Sequence, residues 1–271
     1  MAPARPIVLL TDFGSDDFYA GVMRAVIAAG SPASRTIDLG HGIPAHDIGA
    51  ASFVLARSVE YLPADAIVVV VVDPGVGGRR RGLVLRAEGR TLIGPDNGFA
   101  SDLVASGATP AAFAIDDDAA ARVLGSHPRG ATFHGRDLFG PLAAAMARGV
   151  DVEEFASPAA AFAMLPGIPS VSIDGARAGA TGRYVDRFGN VMSDLPLAVV
   201  RRVCGEVSRA RVSIDGRDVG PLVRTYEDAG DRLAALVNGW GLVEAAVGGG
   251  RAVDRLGSRS PTAIRFEIRA G

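Results

Sequence analysis

Residues 68–82 read VVVVVDPGVGGRRRG. Five consecutive valines leave no polar alternation, so this strand has no wet face. Such a run fits the middle of a parallel sheet covered by helices on both sides. It stops at Asp73, Pro74 and Gly75, and Arg79, Arg80 and Arg81 follow one short loop later. Asp-Pro-Gly is a common turn sequence and arginine suits loops. Taken alone, the stretch reads equally well as a plain turn or as a carboxylate placed beside a guanidinium cluster.

The surrounding chain has the alternation that such a strand requires. PIVLLTD reads as a strand and DFYAGVMRAVIAAG as a helix closed by Gly30. RTIDLG, AIVVVVVD and a hairpin-like TLIGPDNG are further strand candidates. DIGAASFVLARSVEYL and RDLFGPLAAAMARG, the latter ending at Gly149, are further helices. This order predicts an α/β fold with a central, mostly parallel sheet. Around LPGIPS (165–170) the pattern changes to short alternating runs separated by Gly and Asp turns: RARVSIDG, PLVRTY, RLAALVNGWGLVEAAVGG and TAIRFEI. We place a boundary near residue 168, between an N-terminal α/β domain (1–165) and a C-terminal antiparallel β-barrel-like domain (170–271).

Composition removes several classes of function. A net charge of −2 gives no bulk basicity for nucleic acid or an anionic membrane. No apolar stretch reaches the length of a membrane span, and MAPARPIVLLTDFG is expected to run straight into the first strand, since a signal peptide would need a longer apolar core and a small-residue cleavage site. The single cysteine, Cys204, excludes an internal disulfide and a Cys-rich metal site. The expected location is cytoplasmic. All 28 basic residues are arginine, which removes lysine-dependent phosphate loops and Schiff-base chemistry.

In open α/β sheets ligands bind outside the carboxyl ends of the strands, so the polar residues after each apolar run outline a candidate site. The first strand delivers Asp12, with Asp16 and Asp17 beyond; Asp12 and Asp17 are also suited to cap the helix that follows. The valine run delivers Asp73, and PDNG, itself a good turn, delivers Asp96 and Asn97. ATFHGRD presents His134, Arg136 and Asp137 before a helix. In the second domain RYVDRFGNVMSDLP offers Asp186 and Asn190, also good turn formers. Acids, amides and a histidine at five independent strand ends mark a site. GHGIPAHD, with His41, His46 and Asp47, fits no zinc spacing and reads as a solvated loop; GDR near 230 and DRL near 254 read as solvated turns.

LLTDFGSDDFYAGVMRAVI, VVDPGVGGRRR, IGPDNG, ATFHGRDLFGPLAA and YVDRFGNVMSDL, in this order, resemble the S-adenosyl-L-methionine hydroxide adenosyltransferases, relatives of the S-adenosylmethionine-dependent fluorinase and chlorinase. The likeness runs from about residue 7 to 195, with a weaker echo at LVNGWGLVEAAVGGG. It implies that water splits S-adenosyl-L-methionine into adenosine and L-methionine, without a cofactor or metal, in a homotrimer with sites between subunits. By motif position the Asp, Arg and His of water-using members fall on Asp73, Arg80 and His134. Arg80 is chosen among three arginines by its seven-residue distance from Asp73. Asp12 would hold the ribose hydroxyls, Asn190 the adenine edge and Asp186 the methionine amine. Asn97 joins the substrate-binding set, and NGWG, with Trp240, would lie near the methionine carboxylate. Gly239 and Trp240 stand where relatives more often carry serine and another residue.

The chemistry suits these residues. The substrate's sulfonium is already a leaving group, so the protein has only to hold water in line behind the 5′ carbon in a dry, shaped site. An aspartate paired with arginine can orient that water, while His134 takes or relays a proton and arginine stabilises hydroxide character. Two rival readings come from other classes. Asp12, Asp16, Asp73, Asn97 and His134 would serve a metal-dependent phosphohydrolase, and a nucleoside-binding module without turnover would use the same pocket. Halide use is disfavoured by the charge of Asp73.

Overall fold

In the computed structural model, which describes residues 4–125, 130–168, 171–258 and 260–271, the chain divides into two units, Met1–Ile168 and Pro169–Gly271. The last two residues of LPGIPS lie outside the described residues.

In chain order the first unit runs β1 (Ile7–Thr11), α1 (Tyr19–Gly30), β2 (Thr36–Gly40), α2 (Ile48–Ser58), β3 (Ile67–Val71), β4 (Gly82–Ala87), β5 (Arg90–Pro95), α3 (Ser101–Ala105), β6 (Ala111–Ile115) and α4 (Asp117–Leu124). A π-helical turn at Gly135–Phe139 then leads into α5 (Gly140–Ala147), and β7 (Ala156–Pro158) follows. Among the described residues the sheet has seven strands in the order β2-β1-β3-β5-β4-β6-β7. β1 is parallel to β2 and β3, and β3 to β5, while β4 is antiparallel to β5 and β6, and β7 to β6. Five of the seven strands therefore point the same way.

The valine run lies where its composition places it. All five residues of β3 are buried. Ile67, Val69 and Val71 join Met23, Ile27 and Leu142 in one apolar cluster, and Val68 and Val70 are as fully buried. Successive side chains of a strand point to opposite faces, so a strand covered on both faces needs apolar residues at every position.

Three local expectations are corrected. Gly30 lies within the last turn of α1, and Ser31 is the C-cap. What Gly30 provides is close approach, because a Cβ there would sit 2.8 Å from the Ala144 Cβ of α5. The hairpin is formed by β4 and β5, with Glu88 and Gly89 both at positive φ at its tip, the form preferred for two-residue hairpin loops; TLIGPDNG contributes only the second strand. Neither Asp12 nor Asp17 caps α1, whose N-cap is Phe18 with no side-chain cap hydrogen bond.

The second unit runs β8 (Ser172–Asp174), β9 (Arg177–Val185), β10 (Val191–Pro196), α6 (Leu197–Cys204), β11 (Ala210–Ile214), β12 (Arg217–Pro221), α7 (Tyr226–Ala229), β13 (Ala234–Val237), β14 (Leu242–Ala246), α8 (Ala252–Leu256) and β15 (Arg265–Ala270). Its antiparallel sheet follows the order β12-β11-β15-β9-β10-β14-β13, with β8 added on β9. A bridge between Val223 and Leu236 brings the two ends together and nearly closes a barrel. Alternation fills the interior: Val212 and Ile214 of β11 and Phe266 and Ile268 of β15 are buried in one cluster. DRL near 254 is the end of α8 rather than a turn.

Candidate active site

β1 and β3 are neighbours in register, Thr11 opposite Val71, so the residues just past their carboxyl ends emerge side by side. The Asp12 N–H donates to the Val71 carbonyl at 3.4 Å, and Asp73 follows two residues after Val71. The loop from Asp73 then folds back on itself, Val76 N–H to the Asp73 carbonyl at 3.2 Å and Gly78 N–H to the Gly75 carbonyl at 3.0 Å. Gly77 is required there. Its φ is +75°, and a Cβ would meet the Ala131 carbonyl oxygen at 2.5 Å.

This loop returns Arg80 onto Asp73. Arg80 Nε donates to Asp73 Oδ1 at 3.0 Å, and Nη2 donates to Asp73 Oδ2. The same Nη2 reaches His134 Nδ1 at 2.8 Å. The pair is largely shielded, with side chains 12% and 6% exposed for Arg80 and Asp73, and the guanidinium lies 5.5 Å from the Phe139 ring centre. The three arginines therefore differ: Arg79 is exposed, Arg81 pairs with Asp96 at 2.7 Å, and Arg80 joins the strand-end carboxylate to the histidine. His134 directly precedes the π turn, a helical irregularity frequent at functional sites.

Asp12, Asp73 and His134 line one open cavity of about 260 Å³, together with Phe13, Tyr19, His46, Val76 and Phe133. Its aromatic wall is continuous: Phe13 and Tyr19 each meet Phe133 edge-on, at 5.5 and 5.4 Å between ring centres. Asp16 is exposed, bonded to the neighbouring Ser15 at 3.1 Å. Asn97 uses its amide to hold the Val72 carbonyl at 2.8 Å, pinning the end of the valine run, while its buried Oδ1 has no hydrogen-bond partner among the described residues.

In the second unit Asp186 and Asn190 satisfy each other across the turn from β9 to β10. Asp186 Oδ1 accepts from the Asn190 peptide at 2.9 Å and Oδ2 from its side-chain amide at 3.0 Å. Trp240 is 47% exposed at the tip between β13 and β14. Asn238 Oδ1 accepts from the Trp240 and Leu242 peptides at 3.0 and 3.1 Å and so holds that tip.

The model for the SAM hydroxide adenosyltransferase N-terminal domain matches residues 7–156, and that for the C-terminal domain matches residues 183–265. The chain belongs to the SAM hydroxide adenosyltransferase family. It is 35% identical over 269 residues to an (R)-S-adenosyl-L-methionine hydrolase of Thermus thermophilus, covering 97% of this chain and 99% of that one. With the protein of the same name from Salinispora tropica it shares 38% over 262 residues, 95% of each chain. The crystal structure of an uncharacterized conserved protein from Thermotoga maritima superposes with a TM-score of 0.86 at 26% identity, covering 97% of this chain and 99% of that one.

Within this family member the tautomer of His134 follows from its neighbour. Arginine only donates, so Nδ1 must accept, and the neutral ring carries its proton on Nε2. Burial, and then the adjacent Arg80 guanidinium, hold His134 below the ordinary histidine value, with Asp73 offsetting part of this. The folded protein therefore binds this proton less tightly than the unfolded chain does. The neutral ring's contribution to stability is complete above about 6.5 and is lost as the pH falls through the lower folded value. We expect the acid limb of the turnover profile to lie below pH 6.5 or so, with a matching loss of thermal stability that His134→Gln does not show. An acid limb above that value contradicts the Arg80–His134 bond.

Composition alone misses two features of this family member. GHGIPAHD is not simply a solvated loop: His41 is mostly buried, with Nδ1 on Thr11 Oγ1 at 2.8 Å and Nε2 3.1 Å from Asp38, and Asp47 caps α2 through the Ala50 N–H at 2.8 Å. In β14 the carboxylate of Glu244 is fully buried, accepting from Tyr226 Oη and Asn238 Nδ2 at 2.9 Å each, and burial raises its pKa. The only signal for Glu244 is a lone acid inside an apolar run.

Proposed function

We propose that this chain hydrolyses S-adenosyl-L-methionine to adenosine and L-methionine by in-line attack of water at the 5′ carbon of the ribose. The observation that carries this reading is the hydrogen-bonded set Asp73–Arg80–His134, two of whose members line the cavity that also contains Asp12. The activity in the names of the relatives, at 35–38% identity over nearly the whole chain, supports it.

Each carboxylate oxygen of Asp73 has room for a second donor beyond Arg80, so Asp73 accepts a hydrogen bond from the attacking water and holds it in line. His134 Nδ1 is occupied by Arg80, which leaves Asp73 to receive the water's proton as the oxygen–carbon bond forms. The carbon–sulfur bond breaks with its electron pair passing to sulfur, and the sulfonium charge disappears as methionine leaves. Neutralisation of that charge is favoured by an apolar wall, here Phe13, Tyr19 and Phe133. Asp12 takes the ribose hydroxyls; Asn190 takes the adenine edge through Oδ1, its amide being held by Asp186. Asp186 meets the methionine amine, and the Trp240 tip the carboxylate. Asn97 supports the site from the end of β3.

We also read the protein as a cytoplasmic homotrimer. The exposed aromatic side chains Phe18, Phe188 and Trp240 support an assembly that covers them. Among the described residues no helix is long and apolar enough to cross a membrane.

Among the described residues no group of three or more His, Cys, Asp or Glu stands where it could hold a metal ion, so turnover is expected to survive EDTA. The test is to incubate purified protein with S-adenosyl-L-methionine, with and without EDTA, and to identify the nucleoside. Adenosine formed at equal rates supports the reading. Loss with EDTA and recovery with a divalent metal favours the phosphohydrolase, and bound substrate with no product favours a binding module.

A further inference from the structure

The segment between β2 and α2 is clipped to the end of β1. The Thr11 hydroxyl accepts from the Phe13 peptide at 3.2 Å and bonds His41 Nδ1 at 2.8 Å. The Gly14 N–H donates to the His41 carbonyl at 2.7 Å, and the Ile43 N–H to the Thr11 carbonyl at 3.4 Å. At the far end Asp47 is fixed as the cap of α2. Between these two anchors stands His46, at φ +67°, a conformation costly for any residue with a Cβ. Its imidazole does not account for that conformation, being 73% exposed, with Nδ1 4.0 Å from Asp12 Oδ2. Its peptide does: the His46 N–H donates to Asp12 Oδ2 at 2.8 Å. Asp12 itself is nearly buried, its side chain 10% exposed, and its Oδ1 accepts from no donor among the described residues.

We propose that His46 is a positioning residue for nucleoside binding: its left-handed backbone aims a peptide N–H at Asp12 Oδ2, locking the carboxylate so that Oδ1 is presented to the paired hydroxyls of a ribose. The inference rests on the reading that Asp12 binds those hydroxyls. A carboxylate already held in one rotamer loses less freedom on binding than a mobile one, so the locked acid binds the nucleoside more tightly.

The test uses the full chain and adenosine as the probe, with affinity read by calorimetry and kcat and KM for S-adenosyl-L-methionine measured alongside. Glycine adopts positive φ without strain, whereas valine there is an outlier. His46→Val is expected to weaken adenosine by about tenfold or more, mainly in KM, and His46→Gly by several-fold less than that. If His46 merely walled the cavity with its side chain, glycine would be the worse substitution. In an Asp12→Ala background, His46→Val should add less than about twofold, because the group it positions is gone. His46→Ala, expected between Gly and Val, keeps the order readable should the valine variant fold poorly. Equal losses for Gly and Val, or an undiminished effect of His46→Val without Asp12, overturn the proposal. Asp12→Ala alone is expected to weaken adenosine by about tenfold; unchanged affinity there would remove the reading of Asp12 itself, before His46 is in question.

Discussion

Asp73→Asn is expected to lower turnover by about 10²–10⁴-fold, the usual scale for a positioned acid–base group, while adenosine still binds and the fold persists. The amide is nearly isosteric with the carboxylate, so packing at the end of β3 survives. What changes is charge and hydrogen-bonding capacity. Asp73 takes two donors from one guanidinium, Nε on Oδ1 and Nη2 on Oδ2; in asparagine one of those positions becomes an NH₂ facing a donor. The remaining oxygen is neutral and can neither take a proton from water nor balance Arg80. Single-turnover rates, adenosine calorimetry and circular dichroism separate these effects. Undiminished turnover would remove Asp73 from the chemistry.

Arg80→Ala is expected to cost at least as much. Arg80 contacts both other members of the set, so its loss frees His134 Nδ1 and leaves a 6% exposed carboxylate without its partner. Removing one side of a shielded ion pair costs about 3–5 kcal/mol of stability, and turnover should fall by roughly 10²–10⁴-fold. Arg80→Lys keeps the charge but cannot donate in two directions from one planar group, so it should recover much of the stability and little of the rate. Arg79→Ala is the internal control, because that side chain is exposed. Arg81→Ala removes an ion pair whose arginine is 44% exposed and whose carboxylate, Asp96, is 8% exposed; Asp96 keeps the Ala163 N–H as a donor at 2.7 Å, so some stability is expected to be lost with little loss of rate. Comparable rate losses at all three positions would mean that the cluster acts through bulk positive charge and not through the Arg80 geometry.

How much of this was legible in the sequence depends on whether the cause was local. The valine run identifies a doubly covered strand because burial on both faces is written into every position. The order of strand ends puts Asp12 and Asp73 on one side of a sheet, and the hydrogen bonds of Arg80 then follow from a seven-residue loop with a glycine that only glycine can occupy. The loop holding His41 and His46 was not legible. Its contacts go to Thr11, Asp38 and Asp12, residues that come near only after β1 and β2 pair, and the left-handed φ of His46 leaves no mark in composition. Gly30 reads as a helix end for a related reason: a helix-ending glycine and a helix-crossing glycine look alike until α5 is in place. The turn-forming character of Asp186 and Asn190 was readable, but that they would bond each other through both carboxylate oxygens was not. Glu244 looks like a solvent-facing strand residue until the hairpin tip and Tyr226 close over it.

The origin of the oxygen in the product tests the central claim most directly. If water attacks the 5′ carbon in line with the departing sulfur, a reaction run in oxygen-18 water places one solvent oxygen on the 5′-hydroxyl of adenosine and none in methionine, because methionine leaves with its own sulfur and electron pair. Mass spectrometry of both products from a single turnover reads this without assumptions about rate. Label in the adenosine alone is the predicted result. Unlabelled adenosine, or label in the amino-acid product, would contradict it.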